Sequence, residues 1–154
     1  MQMIGEKIMP DIILVSGGFD PIHSGHIKLI NEANKYGDVV VLLNSDQWLR
    51  NKKGKEFLPF VERKIIMQNL KGVLDVIEFD DSDRTCVDGI KKAKSIYKDS
   101  IIKFANGGDR NDNTTPGPEQ EFCNKNDIET LFGIGGDNKS NSSSWILKKW
   151  KENN

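Results

Sequence analysis

The chain has 154 residues, with 22 Lys and Arg set against 23 Asp and Glu, for a formal net charge of −1. That length suits one domain over 1–154 with its core in about 11–150, large enough to fold without disulfide staples. The balanced charge excludes a global basic field for nucleic acid; no apolar run approaches membrane-spanning length, and the polar start 1–7 lacks the apolar region of a signal peptide.

Ile12 to Val15 is a short apolar run, long enough for a buried strand and too short for a helix. Gly17 and Gly18 follow, where the strand stops and the backbone turns tightly. Phe19, Asp20 and Pro21 lead to a helix opening near Ser24, with Ile27, Ile30 and Ala33 at helical spacing. His23 and His26, three apart, share one face of its first turn. Tyr36-Gly37-Asp38 ends that helix, and the β-branched run Val39 to Leu43 predicts a strand covered on both faces. Asn44 to Lys55 is a polar stretch, expected as a loop rich in Arg50, Lys52, Lys53 and Lys55.

A helix from Pro59 to about Leu70 is expected to bury Ile66 and Leu70, and Leu74 to Phe79 predicts a third strand. Ser82 or Asp83 is a candidate cap for a helix carrying Val87, Ile90, Ala93 and Tyr97. Ser100 to Ala105 predicts a fourth strand, ending in Asn106-Gly107-Gly108-Asp109-Arg110. A polar loop, 111–118, then a short helix near Glu119 to Asn124, lead to a fifth strand over Ile128 to Ile134. Ser142, Ser143 and Ser144 cap a last helix from Trp145 to about Trp150. Cys86 and Cys123 lack metal-type spacing and suggest reduced thiols in a cytoplasmic setting; Cys86 reads as core, and Cys123 is open.

Alternating strands and helices predict an α/β fold, a Rossmann-like three-layer α/β/α sandwich around a five-stranded parallel sheet. Ligands of such sheets bind at the carboxyl ends of the strands. The stretches 17–26, 44–55, 107–110 and 135–144 each follow a strand and should gather on that rim.

Gly17-Gly18-Phe19-Asp20-Pro21-Ile22-His23-Ser24-Gly25-His26 resembles the His-x-Gly-His signature of the cytidylyltransferase-like nucleotidyltransferase superfamily. Further resemblances come in matching order along the chain. Asn44-Ser45-Asp46 is similar to the same triplet in heptose-phosphate adenylyltransferases, and Gly107-Gly108-Asp109 to their Gly-Gly-Asp. Glu62-Arg63 resembles a Glu-Arg pair whose arginine holds phosphate, and Ser142-Ser143-Ser144 resembles the closing serine motif. Taken as ordinary local structure, the same residues are turns, an exposed ion pair and a helix cap. Cytidylyltransferases often place an arginine five residues before the first serine; here that position is Asp137, with Lys139 nearby.

The resemblance implies transfer of a nucleoside monophosphate from ATP or CTP to a phosphorylated small molecule, with pyrophosphate released. It assigns catalysis to His23, His26, Arg63 and Lys53. Gly17, Gly18, Phe19, Asp20, Gly107, Gly108, Asp109, Ser142, Ser143 and Ser144 would bind nucleotide. Asn44, Ser45, Asp46, Lys52 and Arg110 would face the acceptor. Mg²⁺ is expected with the triphosphate, held by phosphate oxygens and water rather than a protein ligand cluster. The partners expected are the nucleotide and a sugar or polyol phosphate, not nucleic acid or membrane; exposed aromatics such as Trp150 and the superfamily's habit allow a homodimer. A glycerol-phosphate-type cytidylyltransferase and a non-catalytic nucleotide-binding protein on the same fold are the alternatives to a heptose-phosphate adenylyltransferase-like enzyme.

Overall fold

Successive side chains of a strand point to opposite faces, so a strand apolar at every position must be covered on both sides. The two central runs behave this way in the computed structural model, which describes residues 9–106, 117–135 and 142–153. Strands β1 (Ile12–Gly17) and β2 (Asp38–Leu43) pair in parallel, with Ile12 to Val15 and Val39 to Leu43 buried. β3 (Val73–Glu78), β4 (Ile102–Asn106) and β5 (Glu129–Phe132) complete a parallel sheet in the order β3-β2-β1-β4-β5.

Alternation along the strands sorts the core into two layers. Ile12, Leu14, Val40, Leu42 and Ile77 pack beneath α4 (Val87–Ile96) and α5 (Pro118–Lys125), through Ile90, Ala93 and Cys123. Ile13, Val15, Val39, Val41, Leu43 and Val76 meet α1 (Ser24–Asn34) and α3 (Phe60–Gln68), through Ile30, Ala33 and Met67. This is the expected Rossmann-like sandwich, and its topological switch lies between β1 and β4. Gly37 sets the return from α1 to β2: a Cβ there would stand 2.2 Å from the Asp11 carbonyl oxygen, which accepts the Asp38 N–H at 2.9 Å. Among the described residues, no helix is long and apolar enough to cross a membrane.

Several local expectations change. The supposed loop after β2 begins as a helix, α2 (Asp46–Lys53), closed by Gly54 in the left-handed region at φ 88°. Ser45 Oγ caps it by accepting the Trp48 N–H, Asp46 sits in its first turn, and Arg50, Lys52 and Lys53 sit in its last, all favourable to the helix dipole. Leu49 alone is buried, so apolar periodicity gave no signal. On α3 the fully buried positions are Arg63 and Met67, while Ile66 is half-buried and Leu70, just past the helix, packs half-buried against the same core layer. On α1, Ile27 remains 37% exposed while Ile30 and Ala33 reach the core. The cap position of α4 is Cys86 rather than Ser82 or Asp83; its own side chain makes no capping bond, and Thr85 Oγ1 accepts the Val87 N–H at 3.2 Å. The final helix, α6 (Ser143–Glu152), starts two residues earlier than expected. Both cysteines are buried, which settles Cys123 as core.

Candidate active site

The turn after β1 is built by steric necessity. A Cβ on Gly18 would come within 2.6 Å of Leu49 Cδ2, so glycine lets α2 lie against the turn. Phe19 takes a left-handed φ of 50° and buries its ring, edge-on to His26 with centroids 4.8 Å apart. The chain then enters α1 with His23 as its N-cap.

The two histidines cap the helix reciprocally. His23 Nδ1 accepts the Gly25 N–H at 3.0 Å, and His26 Nδ1 accepts the His23 N–H at 3.2 Å. An accepting Nδ1 carries no proton, which puts the ring proton of each on Nε2. The rings lie 3.8 Å apart, centroid to centroid. Burial first, then His23, Lys53 and Lys52, push the His26 pKa down from 6.5 to about 3. His26 is therefore a neutral Nε2–H donor at physiological pH.

Of the four cations expected beside the turn, Lys53 reaches it. Its Nζ donates to the Asp20 carbonyl at 2.6 Å, and desolvation lowers its pKa. Lys52 Nζ lies 4.9 Å from the Trp48 ring centroid, while Arg50 is taken up by Glu56 through bonds of 2.7 and 3.1 Å. Asp20, expected to meet nucleotide, is 1% exposed and turned inward. Its carboxylate accepts the Phe57 and Leu58 N–H groups at 2.6 and 2.8 Å, tying the segment after α2 to the turn.

Arg63 departs most from expectation. Its side chain is fully buried, with Nε donating to Leu58 O at 2.9 Å and Nη1 to Gly18 O at 3.1 Å and Asn44 O at 2.8 Å. Nη2 pairs with Asp46 at 2.6 Å. The guanidinium is committed to three carbonyls and a carboxylate, so it braces the turn instead of facing phosphate. Asp46 is thereby occupied too. Asn44 and Ser45 also point inward, onto a carboxylate not expected from the sequence: Asp81 accepts from Asn44 Nδ2 at 3.0 Å, Ser45 N at 2.8 Å and Ser45 Oγ at 2.7 Å. Asp81 comes just after β3 on the same rim, so weighing the exit segment of every strand would have found it.

At the far end of the chain, α6 meets this turn. Ser143 Oγ donates to Pro21 O at 2.7 Å, and Ser142 Oγ accepts the Trp145 N–H at 3.1 Å. Those hydroxyls seat and cap the helix, leaving its N-terminal dipole beside the turn. Ser144 follows Ser143 in the first turn of α6. Gly107, Gly108, Asp109, Arg110, Asp137 and Lys139 lie outside the described residues. The described rim thus joins two helix N-termini, two imidazole Nε2–H donors and Lys53, a setting that favours anionic phosphate.

A family model described as cytidylyltransferase-like matches residues 14–152. Over 146 residues the chain is 29% identical to bifunctional protein HldE of Erwinia tasmaniensis, an alignment covering 93% of this chain and 28% of that protein. The corresponding protein of an Enterobacter species is 30% identical over 149 residues, covering 94% and 28%. The chain thus spans about 28% of the length of these curated relatives. Among solved structures, the lipopolysaccharide core biosynthesis protein of Thermoplasma volcanium matches with a TM-score of 0.62 at 22% identity, over 86% of this chain and 99% of that one. A putative nicotinate-nucleotide adenylyltransferase of Vibrio parahaemolyticus gives 0.60 at 18% identity, over 94% and 83%. Both structural likenesses concern the fold. With the family model running from within β1 to the last turn of α6, the chain belongs to the cytidylyltransferase-like family of nucleotidyltransferases.

Proposed function

We propose that this chain transfers a nucleoside monophosphate from ATP or CTP to a phosphorylated small molecule of the sugar- or polyol-phosphate class, releasing pyrophosphate. The observation that carries this is the pair of imidazoles whose Nδ1 atoms are held by backbone N–H groups, so that Nε2–H of each is the donor. A phosphate monoester acceptor is largely dianionic at neutral pH, with a second pKa of about 6, and needs no strong base. Its oxygen attacks the α-phosphorus, the bond to the β,γ-pyrophosphate breaks, and the negative charge passes to that leaving group. The protein's task is in-line placement and stabilisation of charge.

In this scheme His23 and His26 donate from Nε2 to oxygens that gain charge. The Gly17 to Phe19 backbone lies along the α-phosphate, and Lys53 exchanges its Asp20 contact for the incoming phosphate. The N-terminus of α6 receives the leaving group through backbone N–H groups. Mg²⁺ would enter with the triphosphate on phosphate oxygens and water, since Asp20 and Asp46 are already committed to Phe57, Leu58 and Arg63. Asn44-Ser45-Asp46 favours the heptose-phosphate adenylyltransferase-like form of the reaction. The test is pyrophosphate release with Mg²⁺ and ATP or CTP in turn, with a panel of sugar and polyol phosphates. Acceptor-dependent release with one nucleotide is expected; nucleotide binding without release across the panel would favour a non-catalytic binding protein.

A further inference from the structure

We infer, resting on the transferase reading above, that Asp81 is a positioning residue for the transfer, setting the glycine turn and the lysine-bearing helix α2 from the far side of β2. Asp81 is 8% exposed, whereas Asp80, Ser82 and Asp83 beside it face solvent. Burying a carboxylate is costly unless donors replace its water. Asp81 has three such donors, all from Asn44 and Ser45, and among the described residues it has no ion-pair partner within 4.0 Å. The N-terminus of α2 supplies the remaining compensation.

Those two residues lead directly into the site. Asn44 N–H donates to Gly17 O at 3.0 Å, and Asn44 O shares Arg63 Nη1 with Gly18 O. The Gly17 carbonyl is therefore bonded to Asn44 directly, and the Gly18 carbonyl is linked to it through Arg63. Ser45 Oγ, oriented by Asp81, is also the cap of α2, the helix that carries Lys52 and Lys53. A single carboxylate holds both elements that flank the transferred phosphate. Losing it leaves Asn44 Nδ2 and Ser45 N without an acceptor and lets both elements drift. Small displacements of a phosphate-facing backbone weaken the transition state more than the ground state.

Three variants test this: Asp81→Ala, Asp81→Asn and, as a control in the same loop, Asp83→Asn. Asp81→Ala should lower kcat about 10- to 100-fold, measured well below its unfolding temperature. Its nucleotide Kd should stay within about threefold of the parent value. Asp81→Asn keeps an oxygen for Asn44 Nδ2 and Ser45 N and turns its amide toward Ser45 Oγ, which can accept; kcat should return to within about fivefold. Asp83→Asn should match the parent. Because the chain has 2 histidines, His23 and His26, nitrogen-15 imidazole spectra report the site directly, and Asp81→Ala should shift them while Asp83→Asn does not. If Asp81→Ala does not fold, Asp81→Glu, which moves the carboxylate by one methylene, replaces it with the same expectations.

A folded Asp81→Ala with parental kcat and only a lower Tm would overturn the inference. So would an equal loss of kcat and nucleotide affinity. If the parent protein itself releases no pyrophosphate, the transferase reading fails and the role in transfer falls with it; unchanged imidazole signals would separately overturn the coupling of Asp81 to the histidines, and shifted ones would uphold that coupling alone.

Discussion

His23 and His26 each do two jobs with one ring. Nδ1 satisfies a backbone N–H at the start of α1, and that bond decides which nitrogen carries the proton. Two histidines on one helical turn were legible from their spacing alone. Their tautomers were not, because these depend on which backbone groups the folded turn presents. His26 gives a residue-scale prediction. Its folded pKa lies below its ordinary 6.5, at about 3, so the fold favours the neutral ring. The stability this contributes is present above pH 6.5 and is lost progressively as pH falls toward 3. Denaturation midpoints of the parent should therefore fall between pH 6.5 and 4 more steeply than those of His26→Asn, whose amide oxygen can replace Nδ1 without titrating. An imidazole NMR titration showing His26 protonating near its ordinary value would contradict this.

Among the elements, α2 and α3 depart furthest from their sequence patterns. Asn44 to Lys55 has turn-forming and charged residues with a single buried apolar side chain, Leu49, so its helix rests on capping and dipole charges that hydrophobic pattern does not record. Arg63 on α3 was expected to hold phosphate, or else to sit in an exposed ion pair; it is buried because three carbonyls and Asp46 converge on it. That convergence is a property of the assembled rim and is invisible in one segment. Arg63→Lys retains charge but not the planar fork, and should cost on the order of 3 kcal/mol of stability by chemical denaturation. It should also lower turnover, because the turn loses its brace at Gly18 O. An arginine serving only as an exposed phosphate ligand would instead leave stability unchanged and weaken nucleotide binding.

Across the whole molecule, the layering comes from two runs of uninterrupted apolar residues and the helices between strands. These make a parallel sheet with both faces covered, and the sheet gathers the strand-exit segments onto one rim. The residues reaching that rim were legible at 17–26 and 142–144. The inward commitments of Asp20, Asn44, Ser45, Asp46 and Arg63 were not, since the same polar residue types serve to brace a site and to bind a ligand. Cys86 and Cys123 are sealed in the core layer under α4 and α5, where burial raises their pKa values to about 12 and about 11. A thiol reagent at pH 8 should label both more than about 100-fold slower in the native protein than in the unfolded chain. Rapid labelling of either one at low denaturant would show that this layer opens locally.

The proposed mechanism stands on Nε2–H of His26 stabilising the transferring phosphate. Single-turnover pyrophosphate release from the parent and from His26→Asn, at saturating nucleotide and acceptor, isolates that donor. Asn keeps the acceptor for the His23 N–H and removes Nε2. The variant's rate should be about 100- to 1000-fold lower, as for loss of one preorganised donor, with nucleotide affinity nearly unchanged. Equal rates would contradict the mechanism.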